Sequence, residues 1–218
     1  MFKSLSKLIS NHSQITLSVT ILTVILIVPY YSDSQYFNFF NFIFFTLILL
    51  STILTFNKSG KKLAMFGKTG YLIITLVLIT ELTADSYIEL ITKILFVLFL
   101  FYAAINLLLM MIKSKEVDSV VISSAISVYL LFGFCGAMVT MVVLFFQPDA
   151  FSIQQGDASI LHQSLYFSFI TITTTGYGDI LPLKPIAKSL AIFLALFGQL
   201  YLTVIIGILI GKYLSRSK

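Results

Sequence analysis

The chain has 218 residues, 58% of them hydrophobic and 11% charged, with a mean hydropathy of +1.01, which excludes a soluble globular domain of this length. Its 14 Lys+Arg and 9 Asp+Glu leave a formal charge of +5. The basic residues flank apolar segments instead of interleaving with aromatics on a polar face, so nucleic acid is excluded and a membrane is favoured.

Residues 1–14 carry Lys3 and Lys7 and are expected to be a cytoplasmic N-terminus. A basic start before the apolar run Ile15 to Val28 also fits a secretory signal. No alanine precedes Ala64, so the usual cleavage pattern is missing, although Ser32 and Ser34 are small; a first membrane anchor is the better reading.

A crossing helix needs roughly 20 largely apolar residues. Six are expected, at 15–31, 37–56, 70–85, 88–112, 119–146 and 186–211. The third is short and carries Glu81, but Tyr71 to Asn106 is too long for one helix and "ADSY" offers a polar turn midway. Glu81 reads either as an intramembrane relay or as an acid near the outer interface paired with Lys93.

Lys and Arg in short loops stay on the cytoplasmic side. With the N-terminus inside, that side collects Lys3, Lys7, Lys58, Lys61, Lys62, Lys68, Lys113, Lys115, Lys212, Arg216 and Lys218. The outer face keeps Lys184 and Lys188 and gathers Asp33, Asp85, Asp149, Asp157 and Asp179. The expectation is a multi-pass protein of the plasma or inner membrane with both termini cytoplasmic. Lys58, Lys61, Lys62, Lys68, Lys212 and Arg216 form an inner basic rim suited to anionic lipid headgroups, or simply the topology signal.

The charged stretch "KSKEVD", 113–118, divides the chain into a four-helix membrane unit (15–112) and a second domain (119–214), with Asp118 a candidate N-cap. On the fourth span Lys93 stands alone, where voltage sensing needs several gating charges, each worth about 2.3 kcal/mol per 100 mV. Little or no voltage dependence is expected. In the fifth span, Gly133 and Gly136 read as packing positions, and Cys135 as a small buried hydrophobe without an intrachain partner.

Between Phe146 and Ile186, "SLYFSFITITT" (164–174) is apolar but too short to cross, and reads as a half-helix that enters the membrane and stops. His162 before it reads as a loop residue or an external pH sensor. Irregular backbone at membrane depth is tolerated only where it is buried in protein or lines a water-filled path, so "TTTGYGD" (173–179) is expected to be such a lining. Gly176 and Gly178 can take positive φ, which lets the carbonyls of Thr174, Thr175, Gly176 and Tyr177 point to one side. The Thr174 hydroxyl adds a ligand at the inner end, and the half-helix aims its negative C-terminal end at the space below. This is the chemistry of a cation site built from backbone; one strand cannot replace an ion's hydration shell, but several copies around an axis can.

The segment "TTTGYGD" resembles the selectivity filter of the tetrameric potassium channels, whose pattern is T-V-G-Y-G-D. An aromatic pore helix before it, Pro182 after it and Gly198 in the last span follow the family's order, over about 119–214. The resemblance implies an all-α membrane protein: six transmembrane helices plus a re-entrant pore helix (164–174) and filter loop (174–179), an inner helix (186–214) and a homotetramer around a central pore. It implies K⁺ coordination by Thr174, Thr175, Gly176, Tyr177 and Gly178, with K⁺ as the sole metal and no organic cofactor. Filter support would fall to Asp179, Tyr166, Phe167, Ile170 and Thr171, and an inner-helix hinge to Gly198.

There are departures from the family. Thr175 replaces the usual valine and adds a hydroxyl behind the filter. Tyr166 and Phe167 stand where bracing tryptophans are common, which leaves Thr171 as the candidate donor to the Tyr177 hydroxyl. Ile170 occupies the place of a glutamate that pairs with the filter aspartate in some members, so Tyr166 becomes the candidate partner of Asp179. Gly207 and Gly211 form a G-x-x-x-G pattern, read as helix packing or a gate. After the sixth span only "KYLSRSK" follows, so no appended ligand-binding domain is expected.

The function expected is passive, potassium-selective conduction. The alternatives are a weakly selective monovalent cation channel and a non-conducting, channel-like membrane subunit. With 2 His, 1 Cys and no carboxylate pair at helical spacing within a span, no catalytic site assembles and no enzyme is expected.

Overall fold

The computed structural model describes residues 13–31, 37–57, 69–76, 86–114, 116–153 and 160–215. Glu81, Lys58, Lys61, Lys62, Lys68 and Arg216 lie outside the described residues, as do the N-terminal segment, most of the third expected span, and Asp33, Asp85 and Asp157. The described elements are helical: α1 (Ser13–Tyr31), α2 (Phe37–Asn57), α3 (69–76), α4 (Ser86–Lys113), α5 (Ser119–Phe146), α6 (Ile160–Ile172), α7 (Pro185–Leu200) and α8 (Ile206–Ser215). A π-helical turn, Tyr201–Ile205, joins α7 to α8 without a break.

Among the described residues, three helical stretches are long and apolar enough to cross a membrane: Leu90–Lys113, Ser119–Phe146 and Pro185–Leu214. Where the sequence suggested further crossings, α1 and α2 supply the shorter apolar stretches Ile15–Ile27 and Phe42–Thr55, and α3 covers 69–76. The chain divides into two compact units, Met1–Ala103 and Ala104–Lys218.

In the first unit Leu17, Ile21 and Val24 of α1 and Ile48, Leu49 and Ile53 of α2 are buried. Hydroxyls inside these apolar helices return to their own backbone: Thr52 donates to Ile48 O at 2.7 Å, Thr55 to Ser51 O at 2.9 Å and Thr92 to Ile88 O at 2.8 Å. Such back-bonding satisfies these three donors in a medium without water, whereas the buried Thr46 hydroxyl of α2 has no partner among the described residues. Thr20 spends its hydrogen on Thr16 O (2.8 Å), so its 3.1 Å contact with the Ser51 hydroxyl is donated by Ser51, across α1 and α2. Phe45 meets Phe96 edge-on at 4.8 Å, and a side chain at Gly70 would strike Ile53.

In the second unit Asp118 caps α5, its carboxylate accepting from Val121 N at 2.9 Å, as its position predicts. Gly133 and Gly136 are where α6 approaches α5. A Cβ on Gly133 would lie 2.5 Å from the Phe169 ring, and one on Gly136 would run into Ser168 and Leu194. Ser168, fully buried, donates to Gly133 O at 2.6 Å. Small residues at both positions therefore allow a side chain-to-backbone bond between buried helices.

Aromatic rings join α7 to α5: Phe132 stacks on Phe197 at 3.8 Å, and Tyr201 lies 5.6 Å from Tyr129 and 5.7 Å from Phe197. The buried Tyr201 hydroxyl donates to Ala125 O at 2.6 Å. The π turn therefore begins on a side chain fixed from both ends.

Gly198 stands against backbone. A Cβ there would run into the Ile172 carbonyl oxygen. The sequence offered Gly198 as a hinge, but the departure from α geometry lies three residues on, at Tyr201–Ile205, while Gly198 provides the clearance that seats α7 against the end of α6. Gly207 and Gly211 meet nothing within 4 Å, so no packing partner for their G-x-x-x-G pattern exists among the described residues of one chain.

Gly198→Ala is expected to destabilise the fold by at least the about 1–3 kcal/mol typical of overpacking, because a backbone carbonyl cannot step aside. Gly207→Ala in a monomeric, detergent-held chain is expected to be neutral or to stabilise by up to about 1 kcal/mol. Thermal unfolding in detergent compares the two, and equal midpoints would contradict the assigned contact.

Candidate functional site

A helix leaves its last four carbonyls without intrahelical donors. At the C-terminus of α6 these belong to Phe169, Ile170, Thr171 and Ile172, and each finds one. Phe169 O accepts Thr173 N at 3.1 Å, and Thr171 O accepts Thr174 N at 3.0 Å. Ile170 O accepts two amides, Thr175 N at 2.9 Å and Gly176 N at 3.0 Å. Ile172 O accepts the Tyr129 hydroxyl from α5 at 3.2 Å. Four consecutive amides, 173 to 176, are thus folded back onto the helix end.

The carbonyls that follow have no such partner. Among the described residues no donor is bonded to those of Thr174, Thr175, Gly176, Tyr177 or Gly178, and all five residues are exposed. Backbone handedness alternates: Thr174 has φ 59°, Gly176 52° and Gly178 81°, while Thr175 and Tyr177 stay at negative φ. Alternation of this kind turns successive carbonyls toward one side, whereas a regular strand would point them to opposite sides. Gly176 and Gly178 meet nothing within 4 Å of a built Cβ, so their requirement is conformational, the reverse of Gly198. The positive φ of Thr174 was not legible, since threonine's branched Cβ disfavours it.

The expected support residues are placed as follows. The Tyr166 hydroxyl donates to Asp179 Oδ2 at 2.6 Å. That bond is the main reason the Asp179 carboxyl sits below the ordinary carboxylate range and the Tyr166 phenol is pushed up to about 12. Thr171, the candidate donor to Tyr177, instead spends its hydrogen on Phe167 O at 2.7 Å, the carbonyl one turn back in its own helix. Phe167 is buried, meeting Phe151 edge-on at 5.0 Å. Ile170 acts through its carbonyl, a role that side-chain identity does not advertise. Thr173, not anticipated, donates to Phe169 O at 2.7 Å and lies 3.0 Å from the Thr175 hydroxyl.

The chain leaving the loop is held by the segment after α5. Phe151 bridges antiparallel to Pro182; Ser152 N donates to Leu181 O at 2.9 Å, and Leu181 N to the Ser152 hydroxyl at 2.7 Å. Leu183 N and Lys184 N both donate to Ala150 O. Lys184 and Asp149 pair at 2.8 Å, which holds the Asp149 carboxyl below its usual range. Exposed as it is, that pair adds little beyond the backbone bonds. Beneath the clasp, Phe151 and Phe167 pack with Val143, Leu144, Ala150 and Ala187.

At the other end of the unit, Lys212 Nζ donates to Ile112 O at 2.6 Å and Ser114 O at 2.7 Å, and reaches Met111 O at 3.5 Å. A cation at a helix C-terminus is well placed to satisfy its orphan carbonyls. Of the inner basic rim, Lys212 is therefore engaged with protein.

Residues 124–215 match a protein-family model described as "Ion channel", a range that takes in nearly all of α5, then α6, the loop, α7, the π turn and α8. Over 106 residues the chain is 33% identical to "Two-pore potassium channel 4" of Arabidopsis thaliana, covering 49% of this chain and 34% of that protein. The chain thus spans about a third of that relative's length. No solved structure matches.

Because the Asp179 carboxyl is lowered, the stability this bond lends the loop is fully present above the unfolded carboxylate pKa and is lost as pH falls through the lower, folded value. Tyr166→Phe is expected to move the Asp179 titration upward, toward its ordinary range. Carboxyl ¹³C NMR of labelled protein reads the midpoint, and an unmoved one would contradict this account.

Proposed function

We propose that this chain forms a potassium-selective channel in the plasma or inner membrane, conducting passively through a ring of four Thr174–Gly178 loops. The carrying observation is the row of carbonyls from Thr174 to Gly178, turned by alternating handedness and left without protein donors. Such oxygens stand in for the water that a cation sheds on entry, and a ring of four surrounds it. The "Ion channel" match over this segment and the potassium channel of the plant relative support the same reading.

Fourfold assembly is supported by what one chain leaves uncovered. Ser119–Phe146 and Pro185–Leu214 are similarly apolar, yet most of the apolar stretch of the first is buried and most of that of the second is not. Phe193, Leu196, Leu200 and Val204 lie exposed, as does Tyr177. Lipid covers part of such a surface; copies of the chain around an axis cover the rest and close the ring. The C-terminus of α6 presents its negative end to the space below the loop, where a dehydrating cation is stabilised. Anionic lipid at the cytoplasmic basic rim belongs to this proposal, with Lys212 set aside for α4.

Voltage contributes little in this reading, because α4 carries Lys93 as its one basic residue before the terminal Lys113. Conductance is expected to be nearly flat with voltage and unchanged in Lys93→Gln; a steep curve that this substitution flattens would refute the claim.

Flux from purified protein in liposomes tests the function itself. Efflux under a K⁺ gradient is expected to exceed that under an equal Na⁺ gradient many-fold. Gly178→Asp should abolish both, since it adds a carboxylate at a position with φ 81°, where a side chain costs about 1–2 kcal/mol. Equal K⁺ and Na⁺ fluxes would favour a weakly selective channel, and none from a folded tetramer a non-conducting subunit.

A further inference from the structure

We propose that the Thr175 hydroxyl is a positioning group that holds its own carbonyl toward the ion path, an inference that rests on the channel reading above. The direction of the bonds carries it. A hydroxyl has one hydrogen to donate. That of Thr173 is directed at Phe169 O, 2.7 Å away, with a weaker approach to Ile170 O at 3.4 Å. The 3.0 Å contact between the Thr173 and Thr175 hydroxyls is therefore donated by Thr175. A relay runs from Thr175 through Thr173 to the last turn of α6.

The relay parallels the backbone. Thr175 N and Gly176 N both donate to Ile170 O, at 2.9 and 3.0 Å. Residue 175 is thus tied to the helix end by its own amide, by the next amide and by its side chain, all drawn to the same side. The Gly176 amide and the Thr175 carbonyl belong to one planar peptide, so rotating that carbonyl out of the path breaks the Gly176 bond. The hydroxyl tie fixes the Cα–Cβ frame of residue 175 about which that rotation turns. Gly176 has no Cβ to oppose the rotation and nothing within 4 Å of where one would stand, so the side-chain tie is a polar restraint added to the backbone bonds.

The geometry separates the roles of the two hydroxyls. Thr175→Val keeps the branched shape, removes the donor and leaves Thr173 satisfied by Phe169 O. Thr173→Val removes the acceptor and strands the Thr175 hydroxyl. Thr175→Ser keeps the donor and loses only a methyl. A side chain without the hydroxyl fills the same space but leaves the peptide held by its amides alone.

The first measurement does not depend on conduction: hydrogen exchange of the Gly176 amide, by solid-state NMR of the full-length protein in bilayers. Thr175→Val is expected to speed it about three- to tenfold, the range a single net hydrogen bond supplies. Thr173→Val should do the same, the double variant no more than either alone, and Thr175→Ser should stay near the parent rate. The second is single-channel recording in symmetrical K⁺, where Thr175→Val should shorten openings by a similar factor relative to Thr175→Ser, which keeps the donor. An unchanged Gly176 exchange rate in Thr175→Val, or effects of the two valines that add, overturns the relay. If exchange responds as expected while the parent protein passes no K⁺, the relay stands as structure, and the channel reading and the ion-path role resting on it both fail.

Discussion

Four carbonyls at the end of one short helix must each find a donor, and the chain meets that demand with its own next four amides and one tyrosine. The loop after α6 is shaped by this obligation. Once the amides of residues 173 to 176 turn back to the helix, the carbonyls that follow cannot also face it, and alternating handedness sets them on the opposite side. The free row of oxygens is thus a by-product of a well-capped helix end. All five residues of that row are exposed, so these oxygens face away from the chain that carries them.

What surrounds the helix end keeps it in place. Gly133 and Gly136 admit Phe169 and Ser168 from one side, and Gly198 admits the Ile172 carbonyl from the other. Tyr129 reaches that same carbonyl, so α5, α6 and α7 meet at a single oxygen. Past the loop, Tyr166 holds Asp179 and Ser152 holds Leu181. The loop is fastened at both ends by side chains and along its length by amides, while its carbonyl edge is left open.

Much of this was legible in the sequence, and the gaps have a common cause. Apolar length indicated a half-helix at 164–174, which starts four residues and ends two residues later than the observed Ile160–Ile172; Asp118 announced the cap of α5, and the glycines at 176 and 178 announced left-handed backbone. Tyr166 could be paired with Asp179 because Ile170 stands where the usual acidic partner of that aspartate would be, leaving the carboxylate in need of another donor. The Ile170 carbonyl, by contrast, does its work through an atom every residue possesses. Thr174 adopts a conformation its side chain disfavours, because amides on either side are already committed. Thr171 serves Phe167 O and not Tyr177, since a helical threonine finds a carbonyl in its own preceding turn before it finds a distant tyrosine. Gly198 looked like a weak point in a helix, and only the position of a neighbouring carbonyl reveals it as a contact.

The π turn at Tyr201–Ile205 alters how the last helix is to be read along its length. Such a turn inserts one residue beyond α-helical register, and at 3.6 residues per turn that rotates everything beyond it by about 100°. A face traced from Phe193 through Phe197 to Tyr201 therefore does not continue onto the residues that strict α periodicity would select in α8. Gly207 and Gly211 sit in this shifted phase. Deleting one residue within 201–205 would bring the two halves back into phase, swinging the glycine edge by more than a quarter of a turn about the helix axis and presenting other side chains to whatever lies alongside.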